Sequence, residues 1–388
     1  MKRVVWPAYF AESLSSIGST LLGVGIFFYT EHYFRWTAQQ NFLLASGQGL
    51  CYVAGSLAAD RIVSRHGRRP ALVAIFLLTT LIPLIALLSP RPQLMVPVLM
   101  VYTFVIATNW PVLESLVTSG ADAHAMSKRV AVYNLTWSGT NAVTFAACGT
   151  VIARWPAGMF ILPGAAHLLS AAIIFVNRGI DPNDARTVRS EHAAAERELV
   201  ARRTLAMWLA RISLPATYVV VYGLSAMMPS LPVMRPLTTS MATLVASIWM
   251  IARWLAFVIL GATIWWHTRP RILLLAGVMM LFAFIGVAMI PRLPAMIACQ
   301  VLLGVTLGII YAGSLYFGMV LSEGSTEHGG YHEALIGLGS VLGPGAAALA
   351  QWQWPGDLRA GVIAVSCVIS VTLVAAGVVS VRFGRKSA

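Results

Sequence analysis

Charge is what this sequence has least of: 11% of its 388 residues are Asp, Glu, Lys or Arg, and only 14 are acidic. With 58% hydrophobic residues and a mean hydropathy of +0.77, the chain lacks the polar surface of a water-soluble globule, which excludes a soluble single-core domain. Cysteine is also scarce. Cys51, Cys148, Cys299 and Cys367 stand in apolar runs with no close spacing, so they form neither a disulfide framework nor a zinc motif and read as packing residues. Lysine is nearly missing, 3 against 24 arginines, which points to a GC-rich genome. There is no Walker sequence, nucleophile elbow, catalytic carboxylate pair or zincin sequence, so direct use of ATP and membrane-embedded hydrolase or acyltransferase chemistry are not expected, nor is any cofactor.

Long apolar runs are abundant. A helix crossing a bilayer needs roughly 20 apolar residues, and such runs lie near 4–30, 41–59, 71–89, 94–118, 130–153 and 157–177, then near 205–228, 241–266, 271–290, 295–321, 331–353 and 358–381. They are continuous rather than alternating, so they predict helices and not a barrel. The first is too long for a signal-peptide core and has no small-x-small cleavage site, so a retained helix is expected there. Domain limits follow: 1–177 and 205–388 as two membrane bundles, with a polar linker over 178–204.

Basic residues fix the expected orientation. With both termini in the cytoplasm, 19 Lys and Arg fall on that side, 6 on the other, and Arg211 and Arg253 inside helices. The net charge of +13 therefore sits beside the spans on one face, where anionic lipid headgroups account for it better than nucleic acid does. A bacterial inner membrane fits this pattern, because the one N-glycosylation sequon, at Asn134, faces the wrong side for glycosylation.

The two halves repeat one another weakly. At offsets of 199–200, Lys2-Arg3 falls on Arg202-Arg203, Arg69-Pro70 on Arg269-Pro270, Ser115-Leu116 on Ser314-Leu315, and Tyr133-Asn134 on His332-Glu333. Between the second and third runs stands GSLAADRIVSRHGRRP, Gly55 to Pro70, with an Asp-Arg pair and then Gly-Arg-Arg. This stretch resembles the signature of the major facilitator superfamily, and the six-plus-six plan is similar to that family's. The resemblance implies an all-α polytopic membrane protein of twelve transmembrane helices in two pseudo-symmetric six-helix bundles, and a transporter rather than an enzyme. It also implies that Gly55, Asp60, Arg61, Gly67, Arg68 and Arg69 act in conformational switching, Asp60 by holding the cytoplasmic side shut. Here Asp60 to Gly67 is seven residues, longer than the family spacing, which lifts Asp60 about one helical turn. GLGSVLGPG, Gly337 to Gly345, places Gly343 and Pro344 in the eleventh run, where small residues permit close helix approach and proline permits a bend.

Ionisable side chains inside spans are costly and mark functional candidates. Glu12, Glu114, Arg211, Arg253, His332 and Glu333 are picked out on this ground. Glu12 and Arg211 stand at matching depths of roughly 10–12 Å, which suggests a gate salt bridge, the alternative being separate bonds within each half. Arg253 lies near mid-membrane with no carboxylate at equal depth, so it binds either an anionic group of the substrate or backbone at a helix crossing. Glu114 either exchanges a proton or pairs with Lys128 or Arg129, the ion pair being favoured. His328 and His332, with Glu327 and Glu333, imitate metal-ligand spacing, but Gly329-Gly330 suggests a helix starting after His328, so no metal site is expected and His332 with Glu333 is assigned to gating or proton coupling. Asn109, Trp110, Tyr311 and Tyr316 join Glu114 and Arg253 as candidate substrate contacts, although aromatics in spans also serve as packing. The expectation is a monomeric secondary transporter of a small amphipathic or hydrophobic molecule, driven outward by protons. Uptake of a small organic anion or metabolite, or a non-transporting sensor on the same fold, is the alternative.

Overall fold

A computed structural model describes residues 2–89, 91–118, 123–177, 196–263, 265–322 and 326–384. The chain is an all-α polytopic membrane protein. Its long helices are α1 (Val5–Phe34), α2 (Ala38–His66), α3 (Arg68–Leu88), α4 (Pro92–Thr118), α5 (Ala123–Arg154) and α6 (Gly158–Val176). After the linker come α7 (Glu196–Met227), α8 (Thr239–Gly261), α9 (Ile272–Met289), α10 (Leu293–Ser322), α11 (Thr326–Gln353) and α12 (Leu358–Gly384).

Among the described residues, 11 helices are long and apolar enough to cross a membrane. The exception is α5, expected as a span over 130–153: it forms a helix of 32 residues but carries Asn134, Ser138, Thr140 and Asn141 in its middle. Those polar groups turn inward, Asn141 meeting the Thr20 hydroxyl at 2.7 Å and Thr140 the Ser13 hydroxyl at 2.8 Å, both on α1. Helix α7 starts at Glu196, inside the stretch expected as linker.

Local chemistry sets the helix ends and bends. Thr37 and Gln40 form a capping box at the start of α2. Gly67 ends that helix at φ 81°, ψ 157°, a region essentially restricted to glycine. A π-turn over Leu21–Gly25 widens α1 at mid-length, where Gly23 and Val24 face the interior. In α4 the regular helix breaks at Thr108, three residues before Pro111, which has no N–H to give.

Packing separates lipid-facing from inward-facing sides. On α2, Leu43, Leu50 and Leu57 recur every seven residues and stay exposed, as a lipid-facing stripe does. The most extensive packing of all runs between α2 and α11, and α5 packs more on α8 than on any other helix, so these two pairs form the seams between α1–α6 and α7–α12. Glycines set those seams. A Cβ on Gly49 of α2 would stand 2.7 Å from the Ser340 carbonyl carbon of α11, and one on Gly139 of α5 would stand 2.9 Å from Trp254 Nε1 of α8.

Candidate functional site

Where the two sets of helices face each other they enclose a central cavity. Glu12, Ser16, Gln48, Tyr52, Tyr102, Trp110, Trp137 and Asn141 line it from α1 to α5, and Tyr218, Tyr222, Trp249, Arg253, Tyr311 and Glu333 from α7 to α11. Its wall is aromatic, with charges of both signs that do not pair with each other.

Arg253 is 4% exposed, and its guanidinium carbon lies 4.6 Å from the Trp137 ring centre and 4.9 Å from that of Trp249. The two indole faces replace part of its hydration. Its Nε has no hydrogen-bond partner, and among the described residues no carboxylate pairs with it. A buried guanidinium keeps a strong demand for acceptors. Tyr311 stands 5.0 Å from Trp137, ring centre to ring centre, and extends the aromatic wall.

The carboxylates form a second focus. Glu12 is fully buried, its Oε1 accepting from the Ser16 hydroxyl at 3.3 Å and its Oε2 without a partner. The Tyr52 hydroxyl donates to Glu333 Oε2. Glu114 lies behind the cavity wall beside Glu333 and His332, rather than pairing with Lys128 or Arg129 as favoured from sequence. Arg129 instead donates to the Val117 carbonyl at 3.1 Å, and Lys128 is exposed. Beyond the break at Thr108, the second part of α4, Asn109–Thr118, packs on α11, which brings these groups together.

Other sequence candidates fall elsewhere. The expected Glu12–Arg211 bridge is absent: Arg211 is exposed and shares a small recess with Ser314, Tyr331 and His332. Equal depth does not fix which way a helix turns a side chain, and α7 turns Arg211 away from α1. Tyr316 is not a cavity residue; its ring stacks on His267 at 4.0 Å. Burial of His267, in the short helix outside the spans, lowers its pKa and favours the neutral ring that stacks there. Asn109 is fully buried beside the cavity wall, donating to the Ser15 hydroxyl at 3.3 Å. His328 and Glu327 fall outside the described side chains, but α11 begins at Thr326, so Gly329 and Gly330 lie within the helix instead of preceding it.

A model of the Major Facilitator Superfamily matches residues 8–344. The chain belongs to this superfamily. It is accordingly a secondary transporter of small molecules and not an enzyme. The fold of this facilitator is similar to that of a mutant of the nucleoside transporter NupG, at TM-score 0.68 and 10% identity over 98% of this chain and 99% of that one. It is also similar to the human organic anion transporter MFSD10, at 0.66 and 12% over 96% and 98%, and to a bacterial homolog of the human lysosomal transporter Spinster in an inward-facing, unoccupied conformation, at 0.67 and 13% over 99% and 96%. No curated protein matches the sequence.

Within this facilitator the signature stretch does local work. Arg69 donates Nε to the Ile174 carbonyl at 3.3 Å and Nη2 to the Phe175 carbonyl, so it caps the negative end of α6. Arg68 is 8% exposed, and Gly55 lets α2 approach the Phe104 carbonyl of α4. Asp60 and Arg61 are exposed, and Asp60 makes no hydrogen bond or ion pair among the described residues. Gly343, next to Pro344, packs on Val219 of α7.

Sequence reasoning passed over several cavity groups. Tyr52, Tyr102, Tyr218 and Tyr222 line the site. The Tyr102 hydroxyl meets Nε2 of His167, a fully buried imidazole in α6, at 2.9 Å. His167 carried a usable signal, because it is a titratable residue in the middle of a span. The tyrosines carried none, since an aromatic residue in a span is ordinary.

Proposed function

We propose that this chain exports an amphipathic or hydrophobic small molecule with an acidic group, using the proton gradient. The observation that carries this reading is Arg253, its guanidinium in contact with the rings of Trp137 and Trp249 and its Nε unsatisfied inside an aromatic cavity. Its guanidinium takes the acidic group and the indoles and tyrosines take the apolar body. The halves 1–177 and 205–388 rock about this site, with 178–204 as the linker and both termini in the cytoplasm of a bacterial inner membrane. Glu12, in the cavity wall with one oxygen unpartnered, is assigned to carry the coupling proton. The protein acts as a monomer against anionic lipid.

Uptake of a small organic anion is the second reading, favoured by the same guanidinium. One structure of similar fold is that of an organic anion transporter, which is compatible with this alternative without deciding it.

The test is a thermal-shift screen of aromatic weak acids on detergent-purified protein, repeated on Arg253→Gln. A charge-assisted bond contributes about 1.5–3 kcal/mol, so the variant is expected to bind the best acid roughly tenfold or more weakly. Equal affinity in a folded Arg253→Gln variant overturns the reading. Hits taken into proteoliposomes with an imposed pH gradient then separate export from uptake, and binding without flux identifies a sensor.

A further inference from the structure

We propose that Glu114, His332 and Glu333 form a binding site for a divalent transition-metal cation, held between α4 and α11. The inference does not rest on the direction or substrate of transport. One ligand atom from each of the three residues lies within 4.8 Å of the other two, and the residues are 2%, 7% and 1% exposed. Neither Glu114 oxygen receives a hydrogen bond, and Glu333 Oε1 receives none, so acceptor capacity is left over where no water-filled surface supplies it. Leaving such groups unserved is expensive.

Charge and donor chemistry select the ligand. Two buried carboxyls facing each other do not both carry charge unaided, and a doubly charged cation in place of a shared proton makes the trio neutral. One imidazole nitrogen with two carboxylate oxygens is the donor mixture of zinc, cobalt, manganese and iron sites, whereas calcium and magnesium take all-oxygen shells of six or more. Metal–ligand bonds of about 2.0–2.2 Å in tetrahedral geometry put ligand atoms about 3.4 Å apart, so a small inward rotation of the three side chains closes the site. With three protein ligands, a fourth position stays open. Glu333 also lines the central cavity, so the site borders it.

The supporting structure is in place. Tyr52 donates to Glu333 Oε2 and thereby orients Oε1, the role that outer hydrogen bonds play at metal sites. Gly329 allows the two helices to meet: a Cβ there would stand 3.2 Å from the Pro111 Cα and 3.4 Å from Glu114 Oε2. Since Glu114 comes from α4 and the other ligands from α11, a bound cation ties the N-terminal helices to the C-terminal ones.

The probe is cobalt(II), titrated into untagged, metal-stripped, detergent-purified full-length protein. One equivalent is expected to bind with the visible absorption of a low-coordinate nitrogen–oxygen site and to be displaced by zinc. Glu114→Gln and Glu333→Gln, checked for a monodisperse folded state, are each expected to weaken binding at least tenfold. X-ray absorption of the wild-type cobalt complex reads the ligands without any variant, and one imidazole with otherwise oxygen ligands is expected. Wild-type protein that retains no cobalt, a folded Glu114→Gln variant that retains it unchanged, or a ligand shell with thiolate or several imidazoles overturns the proposal.

Discussion

A guanidinium or carboxylate deep in a membrane protein costs several kcal/mol unless something compensates it, and this cost made part of the site legible from sequence. Glu12, Glu333 and Arg253 stood out for that reason and do face the cavity. Arg211 stood out equally and lies outside it, because composition gives depth and not azimuth. Four of the five cavity tyrosines, Tyr52, Tyr102, Tyr218 and Tyr222, were illegible, and so was the meeting of Glu114 with His332 and Glu333, each picked out singly, because both depend on which helix faces which. At the same scale, Gly67 is held at φ 81°, ψ 157°, where a Cβ costs about 1–3 kcal/mol. Gly67→Ala is therefore expected to lower the thermal midpoint of the purified protein by several degrees while leaving ligand affinity at the cavity unchanged. A midpoint equal to that of the wild type would show that the α2–α3 turn has another conformation open to it.

Helices were legible because each must be apolar over a fixed length. Eleven of the expected spans are helices of that kind, and α5 is a helix whose polar middle is satisfied by its neighbours. Their limits were less legible: α7 and α11 run further toward the charged side than apolarity alone indicates, because a helix continues past the bilayer edge for as long as its backbone remains bonded. The stripe of small residues on α11 yields a contrast between two glycines. At Gly343 a Cβ would stand 2.8 Å from the Val219 Cα and 2.9 Å from its carbonyl carbon, contacts that backbone cannot relieve, whereas at Gly377 on α12 nothing lies within 4 Å. Gly343→Ala is expected to destabilise by about 1–3 kcal/mol through overpacking, and Gly377→Ala to be neutral or stabilising by up to about 1 kcal/mol through helix propensity. Thermal midpoints of the two variants side by side check this. Equal midpoints would mean that α7 and α11 are free to move apart at no cost.

At the scale of the whole molecule, two sets of helices joined along α2–α11 and α5–α8 enclose a cavity that each set lines on one side only. Transport through such a cavity requires one end of each seam to part while the other stays closed. Ser46 of α2 and Gly345 of α11 sit across the first seam: the Ser46 hydroxyl donates to the Val341 carbonyl at 3.2 Å, and a Cβ on Gly345 would stand 3.3 Å from the Ser46 Oγ. A side chain at 345 would thus touch that of residue 46, the proximity a cross-link between the two positions needs. Ser46→Cys combined with Gly345→Cys is expected to cross-link on mild oxidation and to lose transport of whatever acid the screen identifies, with recovery on adding reductant and near-normal transport by each single variant. If the fully oxidised double variant transports at the wild-type rate, α2 and α11 move as one body at that level, and the parting motion belongs to the α5–α8 seam instead.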